Sequence, residues 1–400
     1  MFALQLHSLR NGLIAVTTSV VGIVTANITL ADSFQGLPFV HGQSGAMGVS
    51  SNGTMIVGYT QTNQSIFSPY FEEGVVWTNG VMTPLTNLPD NGFIGYAKGI
   101  SGDGSTILGQ GFSDSLSAQY LLLRGGNLST LGQLSTNDGV IPAGISFDGS
   151  IVVGQAFDAS MNTEAFRWQN GIMTGLGFLP GGFINFSEAT AVSADGNVVV
   201  GHGVSAASSS NQAFRWVADG MGGGIMTPLV IPQGENSTVA LAVSADGQTV
   251  VGYGGTNGGN SASLMWKDGT VTNLGLPAGY TSTEAVAVSG DGSIVVGWNT
   301  FGTSNLNHQA YLWTQNTGML PLQDYLIAHG ATNVAGWNLY VPTAISADGR
   351  TVVGYGYNPQ GQLQAWSATI PEPSTLALPL LVVLGLLFYP RRGRGLALGS

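Results

Sequence analysis

Along most of the chain, apolar or small residues alternate with polar ones in short runs, and Asp-Gly, Asn-Gly or other glycine-containing pairs end each run. A period of two with frequent turn residues predicts β-strands joined by tight hairpins. One pattern recurs seven times: a small residue, Val or Ile, then Ser-x-Asp-Gly-x-x, then two apolar residues and Gly. It runs over 48–58, 99–109, 144–154, 191–201, 242–252, 287–297 and 344–354. From Gly58 to Gly354 the mean period is about 49 residues, the length of a propeller blade.

Each unit has a second half, clearest as Ala165-Phe166-Arg167-Trp168-Gln169-Asn170-Gly171-Ile172-Met173. A unit therefore reads as strand, Asp-Gly turn, strand, long loop, strand, Asn-Gly or Asp-Gly turn, strand. Such dipeptides between apolar alternations predict type I′ hairpins, with positive φ at both central residues. Seven units of four antiparallel strands predict an all-β, seven-bladed propeller over residues 32–370. The last unit stops at Ile370 without a fourth strand, while Phe34–Leu37 stands alone ahead of the first unit. Pairing those two ends would close the ring. A right-handed β-helix is the alternative, and it has no need of two hairpin turns per repeat.

The two ends read as targeting segments. Arg10, an apolar run from Leu13 to Val24 and small residues up to Ala31 have the layout of a signal peptide over residues 1–31, with cleavage expected after Ala31 or Ala26. At 371–400, Pro371-Glu372-Pro373 is followed by an apolar stretch from Leu376 to Tyr389 and then Arg391, Arg392 and Arg394. Proline breaks the preceding strand, the apolar stretch suits a bilayer, and the arginines favour the cytoplasmic side. The stretch is short for a full span of about 20 residues.

These motifs carry two resemblances. The tail resembles the PEP-CTERM sorting signal, although Gly393 and residues 395–400 dilute its usual terminal arginine run. The repeats resemble the HAF-type extracellular repeats of bacteria. The first implies transient anchoring in the inner membrane of a Gram-negative bacterium, cleavage near Pro-Glu-Pro by an exosortase-type enzyme, and release to the surface or a matrix rich in exopolysaccharide. The second says little about activity.

Composition narrows the chemistry. There is no cysteine, so disulfides and thiolate metal sites are unavailable. With ten Lys and Arg in 400 residues and a net charge of −11, a nucleic-acid partner is not expected. Membrane contact is expected only through the tail.

Asp103, Asp148, Asp195, Asp246, Asp291 and Asp348 recur in the first turn of their units. A short carboxylate there bonds the next backbone amides, so they are read as structural, and Asn52 in the first unit agrees. Trp77, Trp168, Trp216, Trp266 and Trp313 share one position, with Leu122 taken as their equivalent in the second unit. They are read as packing between blades, and Arg167 and Arg215 as solubilising or inter-blade partners. The five histidines are scattered, so no metal and no cofactor is expected.

The long connections lie on one face, and loops over a rigid scaffold tend to carry binding. That face carries Phe93 and Tyr96, and Trp337, Tyr340, Phe183, Phe186 and Tyr280 are placed there as a ligand face. Glu188 and Glu284 share one position before the first strand of their units and are read chiefly as solvated loop residues. Near the channel mouth they would alternatively bind a cation or act as an acid/base pair. The leading expectation is a non-enzymatic surface module bound to exopolysaccharide. The alternative is a secreted glycosidase or lyase on the same scaffold.

Overall fold

The computed structural model describes residues 34–62, 72–114, 119–136, 139–208, 210–256, 259–302 and 307–370. The end segments lie outside the described residues. So do the leader, both cleavage positions, Pro371, Glu372, Pro373, Arg391, Arg392 and Arg394. Among the described residues no helix is long and apolar enough to cross a membrane.

Seven four-stranded antiparallel sheets form the propeller. A first short strand, β1 (Phe34–Gly36), precedes blade 1, which comprises β2 (His41–Val49), β3 (Met55–Gln61), β4 (Glu72–Thr78) and β5 (Val81–Pro84). Blade 2 comprises β6 (Phe93–Ile100), β7 (Thr106–Phe112), β8 (Gln119–Arg124) and β9 (Asn127–Thr130). Blade 3 comprises β10 (Ile141–Ile145), β11 (Ile151–Phe157), β12 (Thr163–Gln169) and β13 (Ile172–Gly175). Blade 4 comprises β14 (Ser187–Val192), β15 (Val198–Gly203), β16 (Gln212–Ala218) and β17 (Gly224–Pro228). Blade 5 comprises β18 (Ser237–Val243), β19 (Thr249–Gly255), β20 (Ser261–Lys267) and β21 (Thr270–Asn273). Blade 6 comprises β22 (Tyr280–Val288), β23 (Ile294–Phe301), β24 (His308–Thr314) and β25 (Gly318–Pro321), followed by helix α1 (Leu322–Ala328). Blade 7 comprises β26 (Asn338–Ile345), β27 (Thr351–Tyr357) and β28 (Leu363–Thr369).

Strand β1 supplies the fourth strand of blade 7, with Phe34 opposite Ala368 and Gly36 opposite Trp366. The seam is packed as well as paired, since the Phe34 ring meets the indole of Trp337 edge-on at 5.1 Å. Trp337 is therefore half-buried in closing the ring, which corrects its placement on a free ligand face.

The second hairpin of blades 1, 3 and 5 is the expected type I′ turn. Asn79-Gly80, Asn170-Gly171 and Asp268-Gly269 have positive φ at both residues. The first hairpin differs from the expectation, because only its glycine takes positive φ. Its loop is held by side chains instead. In blade 4 the Ser193 hydroxyl donates to Asp195 Oδ1 and accepts from the Val198 N–H at 3.0 Å, and Asp195 Oδ1 accepts from the Asn197 N–H at 3.0 Å. All seven blades repeat this network, with Asn52 in the place of Asp in blade 1.

These turns also bond to one another. Ser51 N–H donates to Gly102, Asp103 to Phe147, Phe147 to Ala194, Ala194 to Ala245, Ala245 to Gly290, Gly290 to Ala347, and Asp348 back to Ser51. The result is a closed girdle of backbone hydrogen bonds through all seven blades. Steps of about 4.8 Å make such a ring roughly 11 Å across between chain centres. The first strands of neighbouring blades pack against each other all the way round, so they are the inner strands and line the axis.

Every inner strand carries a β-bulge, placed between Ala189 and Ala191 in blade 4 and equivalently elsewhere. Opposite the bulge stands the last glycine of the repeat. A Cβ on Gly201 would lie 1.9 Å from the Glu188 carbonyl oxygen, so close backbone approach, not φ, demands glycine there.

The core is divided into seven clusters, each at an interface between neighbouring blades. Trp77, Trp216 and Trp266 are buried in three of them, and Trp168 and Trp313 pack against two others. Register corrects the assignment in blade 2. Leu123 pairs with Ile107 as Trp77 pairs with Ile56, so Leu123 and not Leu122 is the equivalent. Arg167 and Arg215 are inter-blade partners, donating to the Gly196 and Gly247 carbonyls in the turn of the next blade.

Candidate functional site

Antiparallel pairing sends the girdle turns and the outer hairpins to one face and the longer connections to the other. On this loop face, around the start of the inner strands, the seven blades stop resembling one another. Two residues before each bulge residue, the inner strand pairs with the residue just after the repeat glycine. These pairs are Gly45 with Tyr59, Tyr96 with Gln110, Ile141 with Gln155, Glu188 with His202, Val239 with Tyr253, Glu284 with Trp298, and Val341 with Tyr355. One register level around the axis thus holds four tyrosines, a tryptophan, a histidine, two glutamines and two glutamates.

Half of this level is aromatic. The Tyr59 and Tyr96 rings stack at 5.3 Å between blades 1 and 2. In blades 6 and 7, Trp298 meets His308 at 4.2 Å, His308 meets Tyr340 at 4.9 Å, and Tyr340 lies 6.2 Å from Tyr355 and 5.7 Å from Tyr357. The charges of Glu72 and Tyr355 act on Tyr59, which links the two groups of rings. Burial first, then those charges, pushes the Tyr59 phenol up to about 12.

The other half is acidic. Glu188 and Glu284 occupy equivalent positions as expected, but inside β14 and β22 and half-buried, not in solvated loops. Burial raises the Glu284 carboxyl to about 7 against a weak lowering by the Ser261 hydroxyl, which donates at 3.4 Å. Glu188 is also raised by burial, but the Lys98 ammonium pulls it back down. Lys98 is the bulge residue of β6; burial lowers it and Glu188 raises it. Its Nζ also lies 5.8 Å from the centre of the Tyr120 ring. Tyr253, on the blade between the two glutamates, feels both of their charges after a larger effect of burial.

His202 Nε2 stands 3.8 Å from Glu188, longer than a hydrogen bond. Burial drives His202 down to about 4, so the imidazole is neutral near pH 7 and the contact is not an ion pair.

The remaining ligand-face residues scatter. Tyr280 begins β22, where its hydroxyl bonds Gln309 and its ring meets Phe301 at 6.2 Å. Phe186 lies 5.7 Å from the His202 ring at the edge of the level, while Phe183 is 71% exposed in the connection before blade 4. The structure thus brings together Glu188, Glu284, Tyr340 and Tyr96. It adds Lys98, Tyr59, Tyr253, Trp298 and Tyr355, which no connection-length argument selects.

The turn aspartates are spoken for. For Asp148 and Asp246, hydrogen bonds from Ser150 and Ser244 are the leading influences, and both carboxyls sit below the ordinary range. For Asp103, Asp195 and Asp291 burial pushes upward, but serine and backbone donors together outweigh it and the net shift is downward. A cavity of about 530 Å³ also opens on the turn face, between Trp313, Lys267 and Arg350, and much of its wall is the girdle turns at Asp291 and Asp348. Among the described residues no three His, Asp or Glu side chains are grouped as a metal site.

No protein-family model and no curated protein matches the chain. Solved structures match in fold. The chain is similar to an oligogalacturonate lyase in complex with manganese (13% identity, TM-score 0.52, 85% of this chain and 98% of that one). It is also similar to the β-propeller domain of the Trilobed protease from Pyrococcus furiosus (10% identity, TM-score 0.51, 82% and 96%). A puromycin-hydrolyzing peptidase from Mycobacterium tuberculosis aligns at 13% identity and TM-score 0.53, over 81% of this chain and 51% of the peptidase, about half its length. At these identities the likeness establishes the propeller alone, and a fold shared by a lyase and peptidases does not assign an activity.

Proposed function

We propose that the chain is an exported module of the bacterial surface or extracellular matrix that binds polysaccharide at the loop-face mouth of its channel. One observation carries the reading: the position after each repeat glycine holds Tyr59, Gln110, Gln155, His202, Tyr253, Trp298 or Tyr355, a full ring of large side chains with hydrogen-bonding or aromatic character. Aromatic faces with a few polar groups in a concavity suit sugar rings. Export rests on the leader-like residues 1–31. Sorting by an exosortase-type enzyme, with transient anchoring in the inner membrane of a Gram-negative cell, rests on Pro371-Glu372-Pro373 and Arg391, Arg392 and Arg394. Retention on a glycan array, lost when Tyr59 and Tyr96 are both replaced by alanine, is the expected result. No retention of any glycan by the folded protein would refute the reading.

A second reading is a glycan-active enzyme, favoured by the unlike surroundings of Glu188 and Glu284. Burial raises one carboxyl to about 7, while the other also feels the charge of Lys98 two blades away, a split that acid/base chemistry uses. Turnover measured on every retained glycan decides, with Glu284→Gln expected to abolish activity if there is any.

A further inference from the structure

Charge is divided unequally between the two faces. Of the described carboxylates, eight stand on the turn-face half, among five cations: Arg124, Arg167, Arg215, Lys267 and Arg350. Ten stand on the loop-face half, where Lys98 is the single Lys or Arg among the described residues. At the mouth that lysine is matched with Glu188, two blades away across the axis.

Glu284 is left without a cation. Its one hydrogen bond among the described residues is the long contact from Ser261, although the side chain is half-buried in the inner strand of blade 6. A buried carboxylate is normally paired, because leaving water without a counter-charge is costly. The rings around it are suited to the missing charge. Trp298 pairs with Glu284 across the strand, Tyr253 lies on the neighbouring blade, and a π-face attracts an ammonium through its quadrupole. Beyond the mouth, the excess of carboxylates on the loop face draws a polycation toward it.

We propose that the ligand is an amine-bearing polysaccharide, a hexosamine polymer with free protonated amino groups, and that Glu284 receives one ammonium while the aromatic half of the mouth takes the sugar rings. This inference rests on the glycan-binding reading above and narrows it. It requires that the preference follow the amino group and not sugar rings in general.

The test is calorimetric titration of the purified chain at pH 7 and 0.15 M salt with four probes: the hexamer of glucosamine, the hexamer of N-acetylglucosamine, cellohexaose and hexalysine. The glucosamine hexamer is expected to bind at least ten-fold tighter than the other three. Glu284→Gln is expected to weaken it by ten- to hundred-fold, the range for a charged hydrogen bond, while leaving any weak binding of cellohexaose unchanged. Thermal melting of the variant, compared with wild type, excludes loss of the fold as the cause. Equal binding of cellohexaose or the acetylated hexamer would overturn the amine while leaving the glycan reading intact. Equal binding of hexalysine would overturn the sugar. If no sugar binds, the glycan reading falls as well.

Discussion

The two ends of the seven inner hairpins obey different rules. At the turn end, Ser-x-Asp-Gly recurs with one variant, Asn52, and every copy makes the same side-chain bonds and contributes to the same girdle. At the loop end, a few residues along the same strands, no two adjacent blades carry the same pair. Repetition is what a shared backbone requirement produces. Divergence at a fixed register, with only large polar or aromatic side chains after the repeat glycine, is what a shaped site on that backbone produces.

The comparison is broken most severely at the bulge that separates the two ends. Gly201→Ala forces a Cβ against the Glu188 carbonyl and is expected to cost about 3 kcal/mol, the upper range for overpacking, as read by chemical denaturation. Ser193→Ala, at the turn end, removes the partner of a buried N–H and is expected to cost about 2 kcal/mol. An unchanged denaturation midpoint would mean that the network is ornamental.

At the loop end the sign reverses. The Glu284 carboxyl is raised in the folded state, so the ionised form destabilises fully above about pH 7, and that destabilisation is relieved as pH falls toward the ordinary glutamate range. Glu284→Gln is therefore expected to stabilise by on the order of 1 kcal/mol at pH 8, with the gain gone by pH 4. His202, buried and neutral, opposes this trend in both proteins, losing stability as pH falls below the ordinary histidine range, so the difference between variant and wild type isolates Glu284. The smallest effect is expected for Asp195→Asn. Asn52 already fills the equivalent place in blade 1, and less than about 1 kcal/mol should be lost at pH 7. Because the Asp195 carboxyl is depressed, that loss should shrink as pH falls through its folded pKa.

Much of the turn end was legible in sequence. Seven copies of one motif gave the blade count, the missing fourth strand at Ile370 gave the partner of Phe34, and Asn52 argued that the acids were structural. Local chemistry was still misread: Asp-Gly suggested a type I′ turn, whereas serine hydroxyls hold a longer loop. The loop end was less legible, because its meaning lies in register. Glu188 and Glu284 were seen as equivalent, yet placed outside their strands, since a bulge is not visible in a pattern of apolar residues. Trp337 looked like a free aromatic because its partner, Phe34, is some 300 positions away. The sequence does carry one signal of the site: the residue after the repeat glycine is large in every unit, where a purely structural repeat would allow alanine.

The seam also puts both ends of the described fold on one rim. Phe34 lies opposite Ala368 at the turn end of blade 7, so the chain enters and leaves the described fold side by side on that rim. A tether at either end would hold the girdle toward the surface it hangs from. The tyrosine-lined mouth would then lie on the far face, the orientation that the proposed role at a cell surface requires.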